Sequence, residues 1–365
     1  MPPPPSTAGI LPAAKKDYSR YVKKKWTALF VFAGILAAVF LLSVSLGAAM
    51  LPLGEVVSTL GGGGTAQSRA IIWNLRMPRI ATGISVGVAL SIAGCVMQNV
   101  MRNPLASAST LGVLQGASFG AALAIVNFGA GVQIGSGAAA AISITNPPLV
   151  VIFAFLGGIA STAVILALSR AGNFSPSAMI LAGVALGAMF TGATALIQYF
   201  ADDIVVATVV YWTFGNLGRA GWNEVALIFL FAALALAFFI FNAWNYNAIE
   251  SGTNTAKSLG VPVDHLIVGS MIAASFISSV AVAFVGTINF IGLIAPHIAR
   301  RFVGGDYRFL IPASAITGAA LMLSADLVSR MIVSPIILPI GAVTSFLGAP
   351  LFLYLIVRKK EYPLA

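Results

Sequence analysis

Side chains able to do chemistry are few in this sequence, and their placement says more than their number. Leu75-Arg76-Met77-Pro78-Arg79 sets two guanidinium groups around a proline at the head of an apolar run. Their planar forks suit bidentate pairing with carboxylates of an external partner, or contact with lipid headgroups. Arg102-Asn103-Pro104-Leu105-Ala106 closes the same run with a turn signal, where an amide can cap a helix or close a constriction. The stretch Asn254-Thr255-Ala256-Lys257-Ser258-Leu259-Gly260 reads as a short helix capped by Asn254 and ended by Gly260. Such a helix is suited to docking on a soluble partner; the alternative is a solvated loop. His297 follows Pro296 and stands one turn before Arg301, with no second His, Cys or carboxylate near it in sequence. Structural hydrogen bonding is expected of it rather than metal ligation or proton relay. Asp326 and Arg330 stand four residues apart, so they can pair on one helix face, and the pair should face protein or an aqueous cavity.

Other chemistries lack their parts. Gly61-Gly62-Gly63-Gly64-Thr65 resembles a phosphate loop only in its glycines, and the Gly-x-x-x-x-Gly-Lys-Ser/Thr pattern occurs nowhere. It is expected to be a flexible outer loop, and any ATPase that drives this chain must be another polypeptide. The single cysteine, Cys95, lies in an apolar run, which leaves no disulfide framework and no Cys-based metal site. Two separated histidines do not assemble the clustered groups of a membrane-embedded enzyme, and Asp326 alone is a poor midplane site for a secondary transporter. No catalytic residue, metal site or bound cofactor is expected of this chain.

The elements that must position these residues follow from composition. Of 365 residues, 59% are apolar and 8% charged, against roughly 25% charged in ordinary soluble domains. Apolar runs of about 20 residues recur where alternating barrel strands would be shorter, so the spans are helices. The runs predict an all-α polytopic membrane protein with ten transmembrane helices at 26–50, 80–101, 109–128, 149–169, 177–198, 223–243, 265–286, 290–302, 309–330 and 338–357. Residues 1–25 read as a disordered basic cytoplasmic tail, 26–360 as the transmembrane domain, and 244–264 as its longest polar connection. A basic tail followed by an apolar run suggests a signal peptide, but the run is too long for one and reads as a retained helix.

The net charge of +10 could suggest nucleic acid; its distribution argues for a membrane instead. Lys15, Lys16, Arg20, Lys23, Lys24 and Lys25 precede the first span, and Arg358, Lys359 and Lys360 follow the last. With Arg102, Arg170, Lys257, Arg300, Arg301 and Arg308 they put fifteen of the 20 basic residues on one side. Positive loops stay inside, so both termini are expected in the cytoplasm. Small residues four apart, as in Gly112, Gly116 and Gly120, Gly83 and Gly87, and Gly183 and Gly187, predict close helix packing.

Taken in order, these segments resemble the permease family of type II ABC importers for iron–siderophore complexes, heme and cobalamin. The resemblance covers roughly residues 26–360. It is carried by Leu75–Arg79, Gly94 with Gln98, Asn103-Pro104-Leu105-Ala106, Leu111-Gly112, Leu181 through Gly187, Trp212 with Gly215, and Ser258-Leu259-Gly260. It continues through Gly292-Leu293-Ile294 with Pro296, His297 and Arg300, then Asp326 with Arg330, Leu338-Pro339-Ile340-Gly341, and Gly348 with Pro350. The resemblance implies the type II ABC importer permease fold and a complex of two permease copies, a homodimer, with two cytoplasmic ATPase subunits that hold ATP and Mg. An extracytoplasmic binding protein would deliver substrate. By the same resemblance Arg76, Arg79 and Arg330 would meet that binding protein, and Thr255, Ala256, Lys257, Ser258, Leu259 and Gly260 would couple to the ATPase. Asn103, Leu105 and Ser177 would close the pathway on the cytoplasmic side, between the fifth and tenth helices of both copies. The sequence departs from the family at Ser107 and Ser109, where an acidic residue and a proline are usual, and at Ile337, where a glutamate is common. The expected cargo is an Fe(III)–chelate, with heme or cobalamin as the alternative.

Overall fold

The computed structural model describes residues 10–47, 51–129, 131–134, 141–172 and 176–357. In lipid a backbone must satisfy its own hydrogen bonds, so long apolar runs become helices. The helices are α1 (Ile10–Ser45), α2 (Leu53–Leu60), α3 (Ala66–Arg69), α4 (Met77–Val100), α5 (Val113–Asn127), α6 (Pro147–Gly172), α7 (Pro176–Tyr199) and α8 (Asp203–Thr213). They continue as α9 (Trp222–Phe241), α10 (Ala243–Glu250), α11 (Thr253–Ser258), α12 (Val263–Val285), α13 (Ile291–Val303), α14 (Tyr307–Met331) and α15 (Ile340–Val357). Between α5 and α6 an antiparallel hairpin pairs β1 (Gly131–Ile134) with β2 (Ala141–Ile144).

Each of the ten predicted spans coincides with a helix: α1, α4, α5, α6, α7, α9, α12, α13, α14 and α15. Seven helices in the described chain are long and apolar enough to cross a membrane alone. Helices α5, α13 and α15 have 15, 13 and 18 residues. At about 1.5 Å per residue each falls short of a hydrocarbon core about 30 Å thick, so they must be completed by turns and sheltered by neighbours.

Helix α4 is the centre of the bundle, buried almost without interruption from Ile80 to Val100 and flanked by α9, α12, α13 and α14. Close approach explains its glycines. A Cβ on Gly94 would overlap the Gly292 carbonyl oxygen of α13, and one on Gly116 would overlap that of Gly157 in α6. The small-residue faces read from the sequence are therefore seams within one chain, where backbone contact substitutes for a hydrophobic driving force.

One expectation needs correction. Residues 10–25 are not a disordered tail: α1 already runs from Ile10, and its register places Lys25 beside Tyr21 one turn earlier and 3.5 Å from Asp306. Lys25 is buried, so α1 is fastened before its apolar part begins; residues 1–9 and 358–360 lie outside the described residues. The Gly61–Gly64 run is, as expected, an exposed loop between α2 and α3, in which Gly64, at φ +75°, backs onto Thr59 and Ser68. The short elements went unpredicted: α2, α3, the hairpin, the 11-residue apolar helix α8 and α10, whose polar face resembles a connection.

Candidate functional site

The bundle has two chemically distinct ends. At the end where α1 stops, Arg76, Arg79 and Arg330 come together. Arg79 Nε donates to Asp326 Oδ1 at 2.8 Å and Arg330 Nε to Asp326 Oδ2 at 2.9 Å, with the Asp326 side chain fully buried. The i,i+4 pair is thus formed and faces protein. Arg330 also donates to Leu46 O at 2.9 Å and Ser43 O at 3.3 Å, while Arg76 donates to Val44 O and, at 3.0 Å, to Ser45 O. These acceptors are the carbonyls that a helix C-terminus leaves without intrahelical partners. The expected exposed cationic patch is corrected accordingly: Arg76 and Arg330 are 7% and 9% exposed and tie α1 to α4 and α14. A π-helical segment at 70–76 leads into α4 and carries Arg76 at its last position.

Beside Arg79, a cavity of about 180 Å³ is bounded by Tyr211, Asn216 and the 337–340 turn. Ile337 lines it, and among the described lining residues the only charged side chain is that of Arg79. A second cavity, of about 380 Å³, opens between α5, α7, α8 and the loop before α13. Gln115, Ser118, Thr191, Thr194, Gln198 and Asn289 supply its polar lining, and no charged residue contributes. The Gln115 Oε1 atom is buried there without a hydrogen-bond partner. These cavity residues were not singled out in the sequence. Gln115 follows the Leu111-Gly112 motif by one turn and is a rare polar residue within an apolar run, which is the signal that could have found it.

The opposite end carries the predicted gate and coupling segments. Asn103 Oδ1 accepts from Leu105 N at 2.8 Å, the local capping that its turn signal implied, and Leu105 is 44% exposed. Ser107 and Thr110 bond each other reciprocally, and Gly112 at φ +71° caps α5, which starts at Val113, four residues later than predicted. Ser177 opens α7 and is exposed. Gly183, farther along α7, packs against the Thr110 carbonyl, so Ser177 lies at the same end as Asn103 and Leu105. Among the described residues no hydrogen bond joins Ser177 to either of them.

Helix α11 stands at this end with Ala256 buried and Asn254, Thr255, Lys257 and Ser258 exposed. Leu259, immediately after it, is 69% exposed, and Gly260 at φ +82° ends the helix as predicted. Its start is corrected: Gly252, at φ +120°, is the N-cap and Asn254 lies inside the helix. The Lys257–Asp264 ion pair, at 3.3 Å, is solvent-exposed on both sides and contributes little.

Behind α11 a polar network that sequence reasoning missed joins α1, α4, α10, α13 and α14 through Glu250, Arg300, Tyr307, Asn99, Asn247 and Asp306. Burial alone would raise the Asp306 carboxyl, but hydrogen bonds from Arg308 and Asn247, with Lys25 nearby, hold it at about 2. Because this lies below the usual carboxylate value, its stabilising contribution is present above that value and fades only as pH falls toward 2. The guanidinium of Arg308 also lies over the exposed Trp244 ring at 4.1 Å. His297 Nδ1 donates to Leu293 O at 2.8 Å, one turn back on α13, the structural hydrogen bond expected of it. Among the described residues no group of three His, Cys, Asp or Glu side chains could hold a metal ion.

Comparison with known proteins fits this arrangement. Residues 35–358 match the model of the FecCD transport family. A protein of Methanocaldococcus jannaschii, named as a candidate ABC transporter permease, is 48% identical, with 94% of this chain and 97% of that one aligned. The hemin transport system permease of Yersinia pestis is 33% identical, with 88% and 94% aligned. A solved structure described as an inward-facing conformation of a candidate metal-chelate type ABC transporter superposes with a TM-score of 0.79. It is 27% identical, and the superposition covers 90% of this chain and 98% of that one.

Proposed function

The chain belongs to the FecCD transport family, and from that premise we propose that it is the permease of an ATP-driven importer of an Fe(III)–chelate. Heme is the second reading, favoured by similarity to the hemin permease of Yersinia pestis. Both termini face the cytoplasm, the Ala256 end of the bundle meets two ATPase subunits holding ATP and Mg, and the Asp326 end receives an extracytoplasmic binding protein. Two copies form the pathway. The exposed apolar face of α7, with Leu181, Val184 and Leu196, and Phe346 on α15 supply surface for that pairing.

The observation that carries this reading is α11. A six-residue helix held by one buried alanine, with its remaining face in solvent, has no packing role that its exposed residues would serve. It fits a cleft on a soluble partner. The uncharged cavity between α5, α7 and α8 supports the same division of labour, since a polar but weakly binding passage suits a cargo whose affinity resides in its carrier protein.

In the importing cycle, a loaded binding protein docks over the edge framed by Arg76, Arg79 and Arg330. Those residues brace α1, α4 and α14 beneath it. ATP binding closes the ATPases, and displacement of α11 reshapes the passage, which Asn103, Leu105 and Ser177 of the two copies close toward the cytoplasm. Leu259→Asp places a charge at the exposed tip of α11, far from any buried contact. It should abolish co-purification of the ATPase while leaving the thermal stability of the isolated permease unchanged. Undiminished co-purification would remove α11 from the docking surface.

A further inference from the structure

Among the ties that hold the segment carrying α11 is a carboxylate, Glu250, that neither the family likeness nor the sequence motifs pointed to. Glu250 is the last residue of α10, and α11 begins three residues later, after the Gly252 break. Its two oxygens have different partners. Oε1 accepts from Arg300 Nη1, near the end of α13, at 3.2 Å. Oε2 accepts from Asn99 Nδ2, in the last turn of α4, at 3.2 Å and from the Tyr307 hydroxyl, at the start of α14, at 3.4 Å. Arg300 Nη2 donates to the same hydroxyl at 3.0 Å and closes the ring. One turn earlier, Asn247 holds the other side of α10: its Oδ1 accepts from Tyr307 N at 2.8 Å and its Nδ2 donates to Asp306 at 3.0 Å.

We propose that Glu250 is a positioning residue that transmits displacement of α11 to α13, and through α13 to the cavity wall formed by Thr287 and Asn289. The proposal rests on the reading of α11 as the element that meets the ATPase. Helix α13 is short enough to move as one rod. Its far end starts at Phe290, in the left-handed region at φ +66°, directly after the Thr287–Asn289 stretch that lines the cavity. Gly292 seats α13 against α4 in a direct backbone contact that leaves no space for a side chain, so a displacement of α13 is felt along α4. Arg300 is the handle at the near end. The Glu250–Arg300 pair keeps access to water, at 46% and 34% side-chain exposure, so it can open and re-form without stranding a buried charge. The only other ion pair on this segment among the described residues, Lys257–Asp264, leads to α12 and is exposed on both sides.

The test uses the full complex of permease, ATPase and binding protein in proteoliposomes, with ATP hydrolysis and Fe(III)–siderophore uptake measured in the same vesicles. Glu250→Gln keeps the shape and one acceptor but removes the charge that holds Arg300. The variant complex should assemble and hydrolyse ATP, while cargo moved per ATP falls about tenfold, within the range of coupling free energies between sites. Glu250→Asp should restore part of the ratio, and Glu250→Arg combined with Arg300→Glu should recover more than either single reversal. A wild-type transport-to-hydrolysis ratio in Glu250→Gln would overturn the proposal. A parallel loss of hydrolysis and uptake with no recovery in Glu250→Asp would also overturn it, because that is the signature of a merely structural residue. If Glu250→Gln does not assemble, Tyr307→Phe, which deletes one hydroxyl of the ring, decides by the same ratio. If the wild-type complex hydrolyses ATP without uptake, the permease reading fails first and the proposal with it.

Discussion

Asp326 holds two guanidinium groups that would otherwise face each other inside the bundle, at 2.8 and 2.9 Å. Removing one member of a buried ionic set leaves an uncompensated charge, which costs about 3–5 kcal/mol. Asp326→Asn should therefore lower the thermal unfolding temperature of the detergent-solubilised permease and free the end of α1, because Arg330 also carries the Ser43 and Leu46 carbonyls. Unfolding identical to wild type would show that the triad is not a structural clamp. At this scale the sequence was informative about pairs and silent about crossings. The i,i+4 spacing of Asp326 and Arg330 announced their contact, whereas Arg79 reaches Asp326 across 247 residues and no local pattern encodes that. Burial of Arg76 and Arg330 was equally illegible, since their acceptors are backbone carbonyls, which every residue carries. Glu250 and Asn99 escaped notice for the same reason: each stands alone in its own segment.

Among elements, spans were legible because hydropathy over twenty residues outweighs any local ambiguity, and every predicted span meets a helix within a few residues except the first, whose helix begins at Ile10 instead of 26. Short elements were not. Helix α8 has 11 residues and α10 has eight, lengths at which an apolar stretch or a polar connection looks the same whether helical or not. The tip of α11 was read correctly from Gly260, and its start was misread because Gly252 at φ +120° caps it where Asn254 had the better side chain. For α7, the exposed first-turn Ser177 gives a prediction that the proposed gate requires. Ser177→Trp should slow cargo uptake several-fold while ligand binding to the isolated binding protein stays the same. Uptake at the normal rate would exclude Ser177 from the gate.

Across the whole molecule the two ends divide the work. The Asp326 end is braced by buried charge, the Ala256 end offers an exposed helix tied in by a hydrated network, and α4 and α13 run between them in backbone contact. The cavity between α5, α7 and α8 is lined by amides, hydroxyls and apolar side chains without a charged group, which suits the proposed division in which a carrier protein holds the cargo tightly. The proposed function assigns the energy to a separate ATPase, in keeping with a sequence that has no Gly-x-x-x-x-Gly-Lys-Ser/Thr pattern. The measurement that tests this most directly is ATP hydrolysis by the purified permease–ATPase complex in lipid, with its binding protein and a panel of Fe(III)–siderophores, heme and cobalamin. The account predicts that hydrolysis is stimulated by the binding protein loaded with an Fe(III)–chelate and that this same ligand is taken up. Failure of any ATPase to associate, with gradient-driven uptake by this chain alone, would contradict it.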